Sequence, residues 1–310
     1  MILDFALFGA GILLLLAGAE LLVRAASAVA GALRTPEFLV GVLVVGAGTS
    51  LPELAVSVDA AIVGAGDVAV GNVIGSNLCN GALILGLAAF LRPLPLPQRL
   101  WRWQLPVLVL VSGAVAVFLR DSEVARGEAA LLLTALTVYV VVTLRGSGTT
   151  FAGAETHEEG PASPATRLAL ASAAGLGALV VGAKWLVEGA TLIARDLGVS
   201  EAVIAISLVA LGTNLPELAT TLVAVRHRAS ELVAGSIIGS NLFNTMAVLG
   251  LSALTVPLRT VDIRTWELAV FVAAPLAIGI PAARGHLGRL AGMALVLGYG
   301  VILAALAYGV

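Results

Sequence analysis

Gly48-Thr49-Ser50-Leu51-Pro52-Glu53, followed by Gly71-Asn72-Val73-Ile74-Gly75-Ser76-Asn77-Leu78-Cys79-Asn80, is written a second time in this chain. The second copy reads Gly212-Thr213-Asn214-Leu215-Pro216-Glu217, then Gly235-Ser236-Ile237-Ile238-Gly239-Ser240-Asn241-Leu242-Phe243-Asn244. Glu217 lies 164 positions after Glu53, and every other pair keeps that offset. Both copies are embedded in long apolar runs. A carboxylate at the centre of a membrane helix costs roughly 2.5–3.5 kcal/mol even on a lenient insertion scale. Two of them held in register point to one site assembled from two related halves.

The surrounding composition supports the membrane reading. The 310 residues are 59% hydrophobic and 12% charged, where soluble domains average about 45–50% and 25%. The net charge of −2 gives no reason to expect a nucleic-acid partner. A single cysteine, Cys79, excludes an internal disulfide. The 35 glycines suit close helix–helix approach. The apolar N-terminal run lacks the basic start of a signal peptide. Its Gly18-Ala19-Glu20-Leu21-Leu22-Val23 also returns as Gly182-Ala183-Lys184-Trp185-Leu186-Val187, so it reads as structure.

A bilayer core of about 30 Å takes roughly 20 apolar residues per helix. Ten runs qualify: 2–23, 37–64, 69–91, 103–119, 124–144, 168–194, 200–225, 230–254, 267–283 and 287–309. Eleven arginines fall in one set of connecting loops. Five (Arg120, Arg126, Arg195, Arg259 and Arg264) fall in the other. The positive-inside bias then makes the first set cytoplasmic and puts both termini outside. The longest break, 145–167, is rich in Gly, Ser, Thr, Pro and acids. It reads as a flexible cytoplasmic linker, and its Glu155, His157, Glu158 and Glu159 as a solvated charge run. Each half holds five spans, an odd number, so the second half enters the membrane from the opposite face. The expected fold is an all-α integral membrane protein of the cell membrane, with ten transmembrane helices as two inverted five-helix repeats, 1–144 and 168–310. Transporters built this way place their ligand near the midplane, at the repeat interface.

Proline inside a span lacks an N–H and clashes with the carbonyl four residues back. Pro52 and Pro216 therefore free the carbonyls of Gly48 and Gly212, and such backbone is tolerated only in protein or beside a watery cavity. Carbonyls, threonine hydroxyls and a carboxylate collected at one kink are hard oxygen ligands of the kind Ca²⁺ and Na⁺ prefer. Ser76 with Asn80, and Ser240 with Asn244, are four apart and share a helix face. Asn77 and Asn241 point about 100° away, toward packing or capping roles. The glycines at 71, 75, 235 and 239 read as a packing face. Asp59 has Val223 as its counterpart and reads as a vestibule residue.

These motifs resemble the α-repeats of the cation/Ca²⁺ exchanger superfamily, most closely the prokaryotic sodium/calcium exchangers. The resemblance implies a transporter rather than an enzyme, working by alternating access and driving Ca²⁺ against Na⁺ with no cofactor. It implies that Glu53 and Glu217 hold either ion. Thr49 and Thr213 match residues coordinating through carbonyls with hydroxyl help. Ser50, Ser76 and Ser240 match hydroxyl ligands of flanking Na⁺ sites. Gly46 and Ala210 match carbonyl donors one turn earlier, and Asn80 and Asn244 match the pair flanking the centre. Asn214 departs from the serine of the first copy and of many relatives. Asn244 stands where several relatives carry aspartate. Na⁺, Ca²⁺ and the lipid bilayer are the expected partners, with no obligate protein partner. A proton-coupled exchanger of the same fold and a cation channel are the competing readings.

Overall fold

The computed structural model describes residues 2–147, 165–199 and 210–308. Most of the expected linker, and the first ten positions of the expected span 200–225, lie outside them. The elements are α1 (Ile2–Leu33), α2 (Glu37–Thr49), α3 (Leu51–Ile62), α4 (Gly66–Leu91), α5 (Leu100–Asp121), α6 (Arg126–Ser147), α7 (Ala165–Asp196), the short turn α8 (Ala210–Gly212), α9 (Leu215–Arg226), α10 (Ser230–Thr255), α11 (Thr265–Ala283) and α12 (Arg289–Tyr308). Among the described residues, eight helices are long and apolar enough to cross a membrane, and a ninth span is the bent pair α2–α3.

The helix α1 runs ten residues past the expected end at position 23. Arg24 does not stop it, because Glu20 one turn earlier binds the guanidinium at 2.6 Å. The same carboxylate takes His227 Nε2 at 2.8 Å, which ties α1 to the end of α9. Beyond Arg24 the helix still buries Ala25, Ala26 and Ala30.

Burial sorts the helices. In α4 and α10, 78% and 89% of the span is buried, against 11–39% for the other six. The two helices that carry the second part of each motif, 71–80 and 235–244, are thus the most buried of the eight. Leu13, Leu110, Leu131, Leu290 and Val301 face outward on the peripheral helices, as lipid-facing side chains do. Four two-residue strands, β1 (Leu94–Pro95), β2 (Glu123–Val124), β3 (Leu258–Arg259) and β4 (His286–Leu287), tie loops together. The pairs are β1 with β4 and β2 with β3, both antiparallel, so each joins one loop from either half. Each pair also joins loops that arginine counting assigns to the same membrane face.

Glycine sets how closely the helices meet. Along α1 and α7, a Cβ on Gly182 would stand 2.5 Å from Leu15 N, and one on Gly18 would stand 2.8 Å from Gly175 O. Between α2 and α10, a Cβ on Gly46 would stand 2.7 Å from Ser240 N, and one on Gly239 2.5 Å from Val42 O. The packing role expected of the four motif glycines holds for Gly235 and Gly239, which press a backbone of the second half against one of the first. It does not hold for Gly71 and Gly75, where a Cβ would meet nothing within 4 Å among the described residues. Arg126 closes the end of α10, donating to the carbonyls of Leu254 and Thr255 at 3.2 Å each. A cation suits the negative end of a helix.

Candidate functional site

Each motif breaks its span at the same place. The first helix ends at Ser50, whose φ and ψ are −78° and 1°, and α3 restarts with Pro52 in its first turn. The axis bends by 41°. Asn214 repeats the break with φ −87° and ψ 1°, and α9 restarts with Pro216 in its first turn. Proline is tolerated there because its missing N–H would have had no helical partner. The consequence is chemical. Glu53 and Glu217 each fall in the first turn of a new helix, where the positive end of the helix dipole favours a negative charge.

Both glutamates have no solvent exposure, and none of their four carboxylate oxygens has a hydrogen-bond partner. Thr213 and Ser76 lie beside the Glu53 carboxylate, and Thr49 beside that of Glu217, all outside hydrogen-bonding geometry. Each acid is therefore met by the threonine of the other copy. The two acids are also close enough to repel one another. Asn80 and Asn244 are fully buried, with both amide atoms unpartnered. Buried polar groups are hydrogen-bonded in the great majority of cases. Six of these eight atoms, on four motif residues, are oxygens, hard donors suited to a ligand that supplies positive charge.

Backbone turns of the π type bracket these asparagines. Cys79–Ile84 and Asn244–Val248 are wound one residue wider than an α-helix. Widened turns of this kind concentrate at functional sites.

A cluster of oxygens lies beside the first break. The Gly46 carbonyl accepts from Ser50 Oγ at 2.9 Å and from Ser240 Oγ at 3.2 Å. Ser240 Oγ and Thr49 Oγ1 share a hydrogen bond of 3.2 Å. Beside the second break, Asn214 Nδ2 donates to Ser76 Oγ and to Thr213 Oγ1, each at 3.3 Å. Ala210 opens the turn α8, and its side chain lies outside the described residues. Among the described residues no three His, Cys, Asp or Glu side chains converge, so the donor set is two carboxylates and neutral oxygens. The structure brings the described candidates together around two neighbouring breaks. It places Asp59 apart from them, exposed to solvent.

Two supports were not read from the sequence. Asn77 Nδ2 donates to the carbonyl of Asn241, and Asn241 Nδ2 to that of Asn77, both at 3.2 Å. Thr245 Oγ1 joins them, 2.8 Å from Asn77 Nδ2. This reciprocal pair locks α4 to α10 one residue from Ser76 and Ser240. The 164-residue offset was the signal that could have paired them. Second, Asn72 Nδ2 donates to the Glu53 carbonyl at 3.2 Å and to Ser57 Oγ at 2.9 Å, which fixes the backbone that carries Glu53.

A family model described as sodium/calcium exchanger protein matches residues 3–145 and 167–308. The sodium/calcium exchanger MaX1 of Methanosarcina acetivorans is 30% identical over 319 residues, covering 89% of each chain. The inner membrane protein YrbG of Escherichia coli is 35% identical over 271 residues, covering 83% of this chain and 81% of its own. A solved structure of the sodium-calcium exchanger NCX_Mj superposes with a TM-score of 0.87 at 29% identity, covering 98% of this chain and 99% of that one.

Proposed function

We propose, from the premise that this chain belongs to the sodium/calcium exchanger protein family, that it is a secondary active antiporter that moves Ca²⁺ against Na⁺ through one midplane site. The family is one of membrane transporters, and the activity calls for no cofactor. The observation that carries the reading is the set of four carboxylate oxygens, on Glu53 and Glu217, that are fully buried and unpartnered. Thr49, Thr213, Ser50, Ser76, Ser240, Asn80, Asn244 and the carbonyls of Gly46 and Ala210 complete the ligand set, with Asn214 at its edge.

The electrostatics make the two ions rivals. Two ionised glutamates carry about −2, which one Ca²⁺ or two Na⁺ neutralise. Both loads together would stack positive charge where unit charges 4 Å apart interact by about 4 kcal/mol at an effective dielectric near 20. Competition for the same carboxylates is exchange rather than cotransport. An empty site leaves buried charge uncompensated, so the unloaded protein resists switching, and that resistance couples the two fluxes.

The site is proposed to sit between two inverted five-span units, 1–144 and 168–310, joined by the segment 145–167 on the cytoplasmic face of the cell membrane, with both termini outside. The reciprocal Asn77–Asn241 bonds and the two cross-half strand pairs are what an axis in the membrane plane would produce. Alternating access would then move α1 with α7 past the fixed core. Their glycine-mediated contact at Gly18 and Gly182 brings the two backbones together, which supports their moving as one unit.

Purified protein in liposomes tests the reading. An outward Na⁺ gradient is expected to drive uptake of radiolabelled Ca²⁺, while K⁺ and H⁺ gradients of equal size do not. Uptake driven by a pH gradient in Na⁺-free buffer would replace Na⁺ by H⁺ as the coupling ion. Uptake that neither saturates nor responds to opposing Na⁺ would mean a channel. A second expected result concerns Asn244→Asp. A third buried carboxylate, uncompensated by one Ca²⁺, should change the cation preference or the pH dependence of uptake relative to the unmodified protein. An identical ion and pH profile would remove Asn244 from the ligand set.

A further inference from the structure

The two copies differ among their neutral ligands, and the difference has a chemical consequence. At the first break the polar atoms joined by hydrogen bonds are all oxygens: the Gly46 carbonyl, Thr49 Oγ1, Ser50 Oγ and Ser240 Oγ, linked by contacts of 2.9–3.2 Å. The protons among them are hydroxyl protons, which rotate freely. Ser50 and Ser240 both turn theirs onto the Gly46 carbonyl, leaving lone pairs for a cation. At the second break the counterpart of Ser50 is Asn214. Its amide nitrogen lies 3.3 Å from Ser76 Oγ and 3.3 Å from Thr213 Oγ1. In this orientation the amide presents its N–H donors to both hydroxyls, while its Oδ1 is buried without a partner. Both hydroxyls so engaged lie beside the Glu53 carboxylate. Asn214 is only 4% exposed, so water does not compete for these contacts.

We infer that Asn214 closes the second flanking cation position, filling it with N–H donors in place of Na⁺, so that this exchanger moves two Na⁺ for each Ca²⁺ without net charge. The inference rests on the proposed Na⁺/Ca²⁺ reading. The first-copy cluster and the space between the glutamates are the two positions left, and two Na⁺ there balance two carboxylates as one Ca²⁺ does. At Ser76 and Thr213 a third Na⁺ would meet the positive end of the amide dipole instead of a hydroxyl lone pair. Ser50 and Asn214 are thus the residues that set how many ions cross.

The test uses full-length protein in K⁺-loaded liposomes clamped with valinomycin. A cycle carrying one net charge shifts its Ca²⁺ equilibrium about fiftyfold per 100 mV, and an electroneutral cycle does not shift. The unmodified protein should show no dependence on potential and a Hill coefficient for Na⁺ of about 2, as two carboxylates require. Asn214→Ser restores a hydroxyl. It should raise the coefficient toward 3 and make uptake follow the membrane potential. A potential-dependent unmodified protein overturns the inference even if no variant folds, because it means that Asn214 turns its oxygen inward as a ligand. An Asn214→Ser variant indistinguishable from the unmodified protein overturns it too. Absence of any Na⁺-dependent uptake by the unmodified protein is a different result, and it removes the functional reading with the inference.

Discussion

Replacing Glu53 or Glu217 by glutamine is expected to abolish Na⁺-driven Ca²⁺ uptake. Glutamine keeps the shape of glutamate and removes only its charge. Both side chains are fully buried, and their oxygens have no other partner to share the loss. At about 4 Å and an effective dielectric near 20, a unit charge contributes about 4 kcal/mol toward Na⁺ and twice that toward Ca²⁺. Even half of the divalent figure is roughly a thousandfold in affinity. The loss should therefore be steeper for Ca²⁺ than for Na⁺, a signature that general damage would not produce. Folding can be followed separately by thermal melting in detergent. Ligand at a hundred times its Kd stabilises a protein by about 2.7 kcal/mol. The unmodified protein should melt higher when Ca²⁺ is added, and each variant should not. Without ions the variants should melt no lower than the unmodified protein, since a neutral amide is cheaper to bury than a carboxylate. Normal exchange by either variant would remove the carboxylate pair from the mechanism.

Much of this was legible in the sequence because membranes impose blunt rules. Runs of about 20 apolar residues read as spans, and the helices Ser230–Thr255 and Thr265–Ala283 match the expected 230–254 and 267–283 within two residues. The rules failed where a side chain rescued a rule-breaker. Arg24 looked like the end of a helix, but a partner at i−4 lets α1 continue. The carboxylates were legible because buried charge is costly, and the offset made their pairing visible. The position of the break was not. Proline predicts a disturbance at the carbonyl four residues back, near Gly48, whereas the helix stops at Ser50 and restarts with Pro52 in its first turn. That difference matters, since it puts Glu53 and Glu217 at helix N-termini rather than mid-helix. The widened turns at Cys79 and Asn244 have no signature in residue type. The Asn77–Asn241 lock depends on two backbones crossing at one point, which helical spacing within one copy cannot reveal.

The last expected result involves a residue with no polar atom in its side chain. Gly239→Ala should weaken Ca²⁺ binding strongly, by about a hundredfold, which a displacement of about 1 Å remote from the reacting atoms can produce. A Cβ at this position would stand 2.5 Å from Val42 O and 2.6 Å from Val42 Cα. Both are backbone atoms, so no rotamer change relieves the clash, and α2 must retreat from α10. Overpacking of this kind costs about 1–3 kcal/mol. The retreat falls on the next residue. Ser240 Oγ reaches Gly46 O and Thr49 Oγ1 at 3.2 Å each, and hydrogen bonds fade quickly beyond such distances. The effect should therefore appear as a loss of Ca²⁺-induced thermal stabilisation larger than the loss of melting temperature alone accounts for. Gly113→Ala is the matched control, because a Cβ there meets nothing within 4 Å among the described residues. It should gain up to about 1 kcal/mol from alanine's helix preference and leave Ca²⁺ binding unchanged. If both alanine variants bound Ca²⁺ alike, the contact between α2 and α10 would be packing without consequence for the ligands. If only Gly239→Ala loses binding, the spacing of two backbones sets the geometry of a site whose ligands they carry.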